Sequence, residues 1–239
     1  MAARLPLVVL PSWSEAQPPT RLVDAILALP IRFDVLLVDP ANGDADRLAR
    51  ERDEVHVLHA PSPDDGYLAA YRWALEQGYT HVLELDPHAS PQQLPVLLGE
   101  MDGADLVVGS RFAEKSERAA GGWRRALSAG GNRLTQAFLG LATRDCTSGL
   151  RCYRSALLEC IPWDAIPSRE YGLRVSALYY AERMGARVRE VPVGWCAHRT
   201  PPRAALEAFS YVTRTAFHDR ILRRLRPARR TRAGRGWTR

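Results

Sequence analysis

Two aspartates each close an apolar run with the length and composition of a buried strand. Phe33 to Val38 leads into Asp39, and His81 to Leu85 leads into Asp86. Carboxylates at the C-terminal edge of parallel strands stand where open α/β sheets bind ligands, because the strand ends and the loops after them form a crevice. Asp86-Pro87 suits the start of a turn equally well, since both residue types are common turn formers. The four cysteines, Cys146, Cys152, Cys160 and Cys196, form no C-x-x-C pair and have no histidine at zinc spacing, so they read as reduced structural thiols.

The chain is arranged around the stretch from Gly66 to Leu94. A small-residue turn at Gly66 leads into a helix with Tyr67, Ala70, Tyr71, Ala74 and Leu75 at helical spacing. Gly78 stops that helix, and a strand runs into Asp86. Before this stretch, Leu5 to Leu10 reads as a buried strand closed by Pro11. Thr20 can cap a helix with Leu22, Ile26 and Leu29 inward; Arg47 to Glu54 reads as a short helix and Val55 to His59 as a third strand. After it come a helix opened by Pro91 and running to Met101, then a strand from Ala104 to Gly109 that leads to Ser110-Arg111. Strands alternating with helices in this way predict βαβ units and a mainly parallel sheet.

Beyond Arg111 the rhythm changes. Phe112 to Gly122 reads as a charged loop, and Trp123 to Leu141 as a helix with Leu127, Leu134, Phe138 and Leu141 inward. A polar stretch, Asp145 to Arg154, precedes a helix over Ser155 to Cys160. Tyr171 to Met184 is predicted as a helix stopped by Gly185, Arg187 to Val193 as an alternating strand, and Arg203 to Leu225 as a last helix.

A chain of 239 residues with 46% apolar content suits one α/β domain, here assigned to 1–219. No apolar run approaches the roughly 20 residues that span a bilayer, and Met1 to Leu10 lacks the pattern of a signal peptide. The expected location is therefore cytoplasmic or peripheral. The net charge of +6 is uneven: 220–239 holds nine arginines and no acid, so the 27 acids outnumber the bases that remain. Such a tail is expected to be disordered and to dock on an anionic membrane surface. Nothing upstream supplies a nucleic-acid module, so no nucleic acid is expected.

Several short stretches, taken in order, resemble glycosyltransferase family 2. Pro11-Ser12-Trp13-Ser14-Glu15 is similar to the P-T-Y-N-E opening, Val38-Asp39 to V-D-D, and Gly66 to Tyr71 to G-L-G-A-A-Y. Leu85-Asp86-Pro87-His88 stands in the place of D-A-D, and Val107 to Arg111 in that of V-V-G-T-R. Arg124 to Asn132 resembles R-K-x-x-S-R-G-A-N, Asp145 to Arg154 D-x-T-S-G-F-R-x-Y-R, and Glu190 to Val193 E-V-P-I. Eight motifs in order over residues 5 to 200 are far more specific than any one. Within the family the series is most similar to dolichol-phosphate and polyprenol-phosphate mannose synthases.

The resemblance implies a GT-A type, Rossmann-like, three-layer α/β domain. It also implies an inverting transfer of a hexose, mannose favoured, from a nucleotide diphosphate sugar to a polyprenyl phosphate at the inner membrane face. Pro11, Ser12, Glu15 and Asp39 would line the nucleoside pocket, and Asp86 would face a divalent cation. Arg111 and Arg151 would act at the reacting phosphates, while Arg124 and Arg199 would bind the acceptor phosphate, since planar guanidinium groups meet phosphate oxygens bidentately. Arg203 could join them by replacing the charge of the lysine that the family carries after Arg199. Asp145 could orient one of these arginines, or simply form a turn. A phosphate acceptor is already ionised near neutral pH, so no strong general base is required.

The chain also departs from the family pattern. His88 replaces the second aspartate of D-x-D, which favours Mn²⁺ over Mg²⁺ because imidazole is a poor Mg²⁺ ligand. Pro40, Ser14, Ala129 and Ser176 stand where Asp, Asn, Arg and Glu are usual, and no G-x-S-K follows Arg199. These losses leave open a relative that binds nucleotide sugar or a partner without reacting, or an enzyme with a non-lipid acceptor.

Overall fold

The computed structural model describes residues 5–12, 19–40, 44–61, 63–113, 122–166 and 171–194. Its first half alternates strand and helix. Strand β1 (Leu7–Pro11) is followed by helix α1 (Pro19–Leu27), β2 (Asp34–Asp39), α2 (Asp44–Glu51), β3 (Val55–His59), α3 (Pro63–Glu76) and β4 (His81–Glu84). A 3₁₀ turn over Pro91–Gln93 then runs into α4 (Leu94–Gly99), and β5 (Leu106–Ser110) follows. The second half holds α5 (Gly122–Leu139), β6 (Arg151–Arg154), α6 (Ser155–Cys160), α7 (Tyr171–Arg183) and β7 (Val188–Pro192).

The seven strands form one sheet in the order β3-β2-β1-β4-β6-β5-β7. All neighbours are parallel except β6, which runs antiparallel to both β4 and β5. The mainly parallel expectation therefore holds, and the polar stretch read from Asp145 to Arg154 contains a central strand. The first half winds from β1 outward to β3, then returns to the other side of β1 with β4. The topological switch point, where open sheets open a crevice beyond their strand ends, thus lies between β1 and β4.

Successive side chains of a strand point to opposite faces, and β1 divides its residues accordingly. Leu7 and Val9 pack with Tyr67, Ala70, Tyr71 and Ala74 of α3, Leu157 and Leu158 of α6, and Leu173 and Leu178 of α7. Val8 and Leu10 pack with Leu22, Val23 and Ile26 of α1, Leu48 of α2, and Leu94 and Leu97 of α4. The result is three layers, with the sheet covered on both faces.

Two expectations about helices need correction. Helix α3 begins at Pro63, with proline at the favoured first position, so Gly66 lies within its first turns and not in a turn before it. On α5, Leu134 and Phe138 are 50% and 42% exposed, whereas Asn132 and Leu139, and Leu141 just past the helix end, are buried. The inward face is set by Asn132, whose side-chain oxygen accepts the Cys146 N–H at 2.8 Å and whose amide donates to the Ser128 carbonyl. The predicted helix over Arg203 to Leu225 and the tail 220–239 lie outside the described residues.

Candidate active site

The C-terminal ends of β1, β2 and β3 bring Pro11, Ser12, Asp39 and His59 to one edge of the sheet. Ser12 donates its N–H to the Val38 carbonyl at 2.9 Å, which aligns its hydroxyl with the neighbouring strand end. That hydroxyl donates to Oδ1 of Asp39, a carboxylate only 2% exposed. His59 faces the same group, with Nδ1 at 3.8 Å from Asp39 Oδ2 and Nε2 at 3.1 Å from Asp46 Oδ1. Ser12 and Asp39, both expected at a nucleoside pocket, are thus neighbours joined by a hydrogen bond. His59 and Asp46 carried no sequence motif, although His59 ends a strand at the same edge.

Asp86 lies two residues beyond β4, half-buried, on the other side of the switch point. Its position beyond the strand end and its role in a turn coexist. Its Oδ1 accepts the His88 N–H at 2.9 Å and its carbonyl accepts the Ala89 N–H at 2.7 Å, so it does form the turn. A Cβ built on Gly149 would lie 3.1 Å from Asp86 Oδ2 and 3.2 Å from the Arg174 guanidinium carbon, so the absent side chain lets the 145–150 loop rest against both groups. Because β6 runs antiparallel, the loop that leads into it arrives at the same sheet edge as the ends of β1, β4 and β5.

That loop also holds Arg111, the residue after β5. The Arg111 guanidinium donates from Nε to Asp145 Oδ2 and from Nη2 to Asp145 Oδ1, both at 2.7 Å, and from Nη2 to the Thr147 hydroxyl at 2.9 Å. Asp145 is fully buried while the Arg111 side chain keeps 20% exposure. The fork geometry fixes the arginine at the rim, as bidentate pairs do. Asp145 is itself held by Glu190, which accepts its N–H at 3.0 Å, giving the E-V-P stretch a structural task.

Arg151 is placed otherwise than expected. It is fully buried, and its guanidinium donates to the carbonyls of Ser148 at 2.9 Å, Arg174 at 2.7 Å and Cys146 at 2.7 Å, and to the Tyr153 hydroxyl at 3.2 Å. The expectation that it meets a phosphate is corrected: its donors brace the 146–148 loop from beneath. A buried cation needs such satisfaction, because unpaired buried charge is costly.

Between Arg151 and Asp86 lies an ionic cluster that the motifs did not reveal. Glu84, fully buried in β4, accepts from the Tyr71 hydroxyl and from Arg174 Nε at 2.8 Å. Arg174 of α7 also donates from Nη2 to the Tyr67 hydroxyl at 2.8 Å, with its guanidinium 4.9 Å from that ring's centre. Burial, with the Glu84 charge adding to it, pushes the Tyr71 phenol well above its ordinary range, and burial likewise raises Tyr67 against the pull of Arg174, so both stay protonated. Burial opposes the Arg174 charge, but Tyr67, Glu84 and Asp86 outweigh it and hold the guanidinium firmly protonated. The signals available were a glutamate inside the apolar Val82–Leu85 run and an arginine inside the apolar α7.

The described residues contain no group of three or more His, Cys, Asp or Glu placed to enclose a metal. A cation shared with substrate phosphates needs only one or two protein donors. Asp86, with one oxygen committed to the turn and His88 two residues on, fits that shared kind of site and not a protein-enclosed one. Glu15, Arg199 and Arg203 lie outside the described residues, and Arg124 falls in the first turns of α5, where side chains are not described.

No protein-family model matches the chain. An undecaprenyl-phosphate mannosyltransferase of Micrococcus luteus is 39% identical over 208 residues, covering 78% of this chain and 82% of that protein. A polyprenol monophosphomannose synthase of Mycolicibacterium smegmatis is 34% identical over 200 residues, covering 78% and 76% respectively. Among solved structures, glucosyl-3-phosphoglycerate synthase from Mycobacterium tuberculosis in complex with UDP superposes with a TM-score of 0.65 at 19% identity, over 90% of this chain and 81% of that one. The same enzyme with Mn²⁺, UDP-glucose and phosphoglyceric acid gives 0.65 at 19% identity over the same shares. The superpositions show the GT-A fold. Agreement in sequence over most of both chains, with strand ends that assemble Ser12, Asp39, Asp86 and Arg111 along one edge, places this chain in glycosyltransferase family 2, among the polyprenol-phosphate mannosyltransferases.

Proposed function

We propose that the chain transfers a hexose, with mannose from GDP-mannose favoured, to polyprenyl phosphate with inversion at the sugar carbon. The observation that carries this reading is the shared edge of Ser12, Asp39, Asp86 and Arg111, in a chain 39% identical to an undecaprenyl-phosphate mannosyltransferase. Ser12 and Asp39, with Pro11 and Glu15, receive the nucleoside, where a hydroxyl and a carboxylate suit ribose and base polar groups. Asp86 faces the diphosphate across the switch-point crevice. Arg111, held rigid by Asp145, presents its guanidinium where negative charge develops as the sugar bond breaks, and such preorganised charge is the main source of rate in reactions of this kind. Arg124, Arg199 and Arg203 are assigned to the acceptor phosphate.

A divalent cation held by Asp86 and His88 would neutralise charge on the leaving diphosphate, and imidazole favours Mn²⁺ over Mg²⁺ for that task. No described helix is long and apolar enough to cross a membrane. Docking of the basic tail 220–239 on the anionic, cytoplasmic membrane face would bring the site to a lipid acceptor. No nucleic-acid partner is proposed.

Purified protein incubated with labelled GDP-mannose, polyprenyl phosphate and Mn²⁺ is expected to form a mannosyl lipid. Absence of glycolipid across a panel of sugar nucleotides would overturn this reading. The His88 substitution favours one rival, a relative that binds nucleotide sugar without transferring it; nucleotide binding without turnover would identify that case.

A further inference from the structure

The cationic groups behind Asp86 are unevenly balanced. Arg151 and Arg174 are both enclosed in the cluster beneath the sheet edge, and Glu84 is the one carboxylate to which either is ion-paired among the described residues. The next carboxylate is Asp86. It flanks the Arg174 guanidinium across Gly149, yet Arg174 directs its ion pair to Glu84 and leaves Asp86 to the turn at His88. The Arg174 side chain keeps 15% exposure, and Gly149 puts no Cβ between that guanidinium and the Asp86 oxygen. Arg151, by contrast, is fully buried and saturated by carbonyls.

We propose that Arg174 is a fixed cation of the diphosphate subsite, which attracts the nucleotide's phosphates to the Asp86 edge and carries part of the neutralising charge that a dissolved divalent ion otherwise supplies alone. This rests on the reading of the edge as a nucleotide-sugar site. The physical basis is that Arg174 is already desolvated and oriented by Glu84 and the Tyr67 hydroxyl, so its field acts at the site without reorganisation. Its screening by water is weak for the same reason. A site with a single carboxylate at the strand end and a guanidinium behind it repels an added diphosphate less than one with two carboxylates. Nucleotide affinity should therefore survive metal removal to an unusual degree.

The test is calorimetric binding of GDP and UDP to the full chain in Mn²⁺ and in EDTA, for wild type, Arg174→Lys, Arg174→Gln and the double variant Glu84→Gln/Arg174→Gln. The double variant removes both charges, so no orphaned carboxylate is left if the single change fails to fold, and thermal unfolding verifies each preparation. Expected is measurable wild-type binding in EDTA, within about tenfold of that in Mn²⁺, retained by Arg174→Lys. Arg174→Gln should lose tenfold or more in EDTA but less than threefold in Mn²⁺, and the double variant, which also removes the opposing Glu84 charge, should show a smaller loss confined to EDTA. Equal losses in both conditions, or no loss in either, would overturn the assignment of Arg174 and leave the proposed function standing. Failure of folded wild type to bind either nucleotide in either condition would overturn the nucleotide-site reading itself.

Discussion

Arg111 and Asp145 are joined by two parallel hydrogen bonds of 2.7 Å, and the Arg111 backbone N–H donates to the same carboxylate at 3.0 Å. The pair closes β5 onto the loop that leads into β6, so it serves the fold and the site together. Truncating Asp145 strands a partly buried guanidinium and frees the loop. Asp145→Ala is expected to cost about 2–4 kcal/mol of stability, read by denaturant unfolding. Arg111→Lys should keep most of the stability while lowering kcat, because an ammonium cannot reproduce the fork.

Arg151 separates structural from catalytic roles. Its donors satisfy three buried carbonyls, so Arg151→Met should destabilise the protein by about 3–5 kcal/mol. Unfolding midpoints should fall sharply, whereas nucleotide affinity per folded molecule should change little. A variant with native stability and lost activity would return Arg151 to the phosphates.

Gly149 packs against Asp86 and Arg174 where a Cβ would sit 3.1–3.2 Å from both. Gly149→Ala should therefore push the loop or the carboxylate aside, at a cost of about 1–3 kcal/mol. Nucleotide affinity should weaken severalfold, measured beside a control alanine at Gly130, where a Cβ meets nothing within 4 Å.

Acid sensitivity should be traceable to Asp105. Burial raises its pKa, but the hydrogen bonds and charge of Arg187, with Arg154 adding, outweigh burial and leave it below the ordinary value. A depressed carboxylate stabilises the fold above its unfolded pKa, and that contribution disappears as pH falls through the folded value. The difference in unfolding midpoint between wild type and Asp105→Asn should thus be fully present at pH 6 and shrink steadily below about pH 4. A difference constant down to pH 2 would contradict this.

The first half of the fold was legible because its strands are continuous apolar runs, each ending at a polar residue or turn. Strand β6 was not, since Arg151-Cys152-Tyr153-Arg154 carries two arginines whose partners include the Arg174, Met101 and Ala104 carbonyls and the Asp105 carboxylate, all supplied from distant segments. The same reason hid the Glu84–Arg174 pair: its two halves lie 90 residues apart, and neither belongs to a motif. Leu134 and Phe138 misled because helical spacing identifies a stripe but not which stripe is buried. On α5 the loop-holding amide of Asn132 decides that. Asp86 could be singled out from its place at a strand end, whereas Asp39 and Arg111 gained a role only through the motif resemblance, and His59, at a strand end but in no motif, was passed over.

The central claim is that the edge bearing Asp86 is where a nucleotide sugar is cleaved and its sugar passed to a lipid phosphate. The most direct measurement is mannosyl-lipid formation from labelled GDP-mannose and polyprenyl phosphate in Mn²⁺, comparing wild type with Asp86→Ala at matched folded concentration. The account predicts steady glycolipid formation by wild type and a loss of at least a hundredfold in the variant, about 2.7 kcal/mol of transition-state stabilisation. Glycolipid formed equally by both proteins would contradict it.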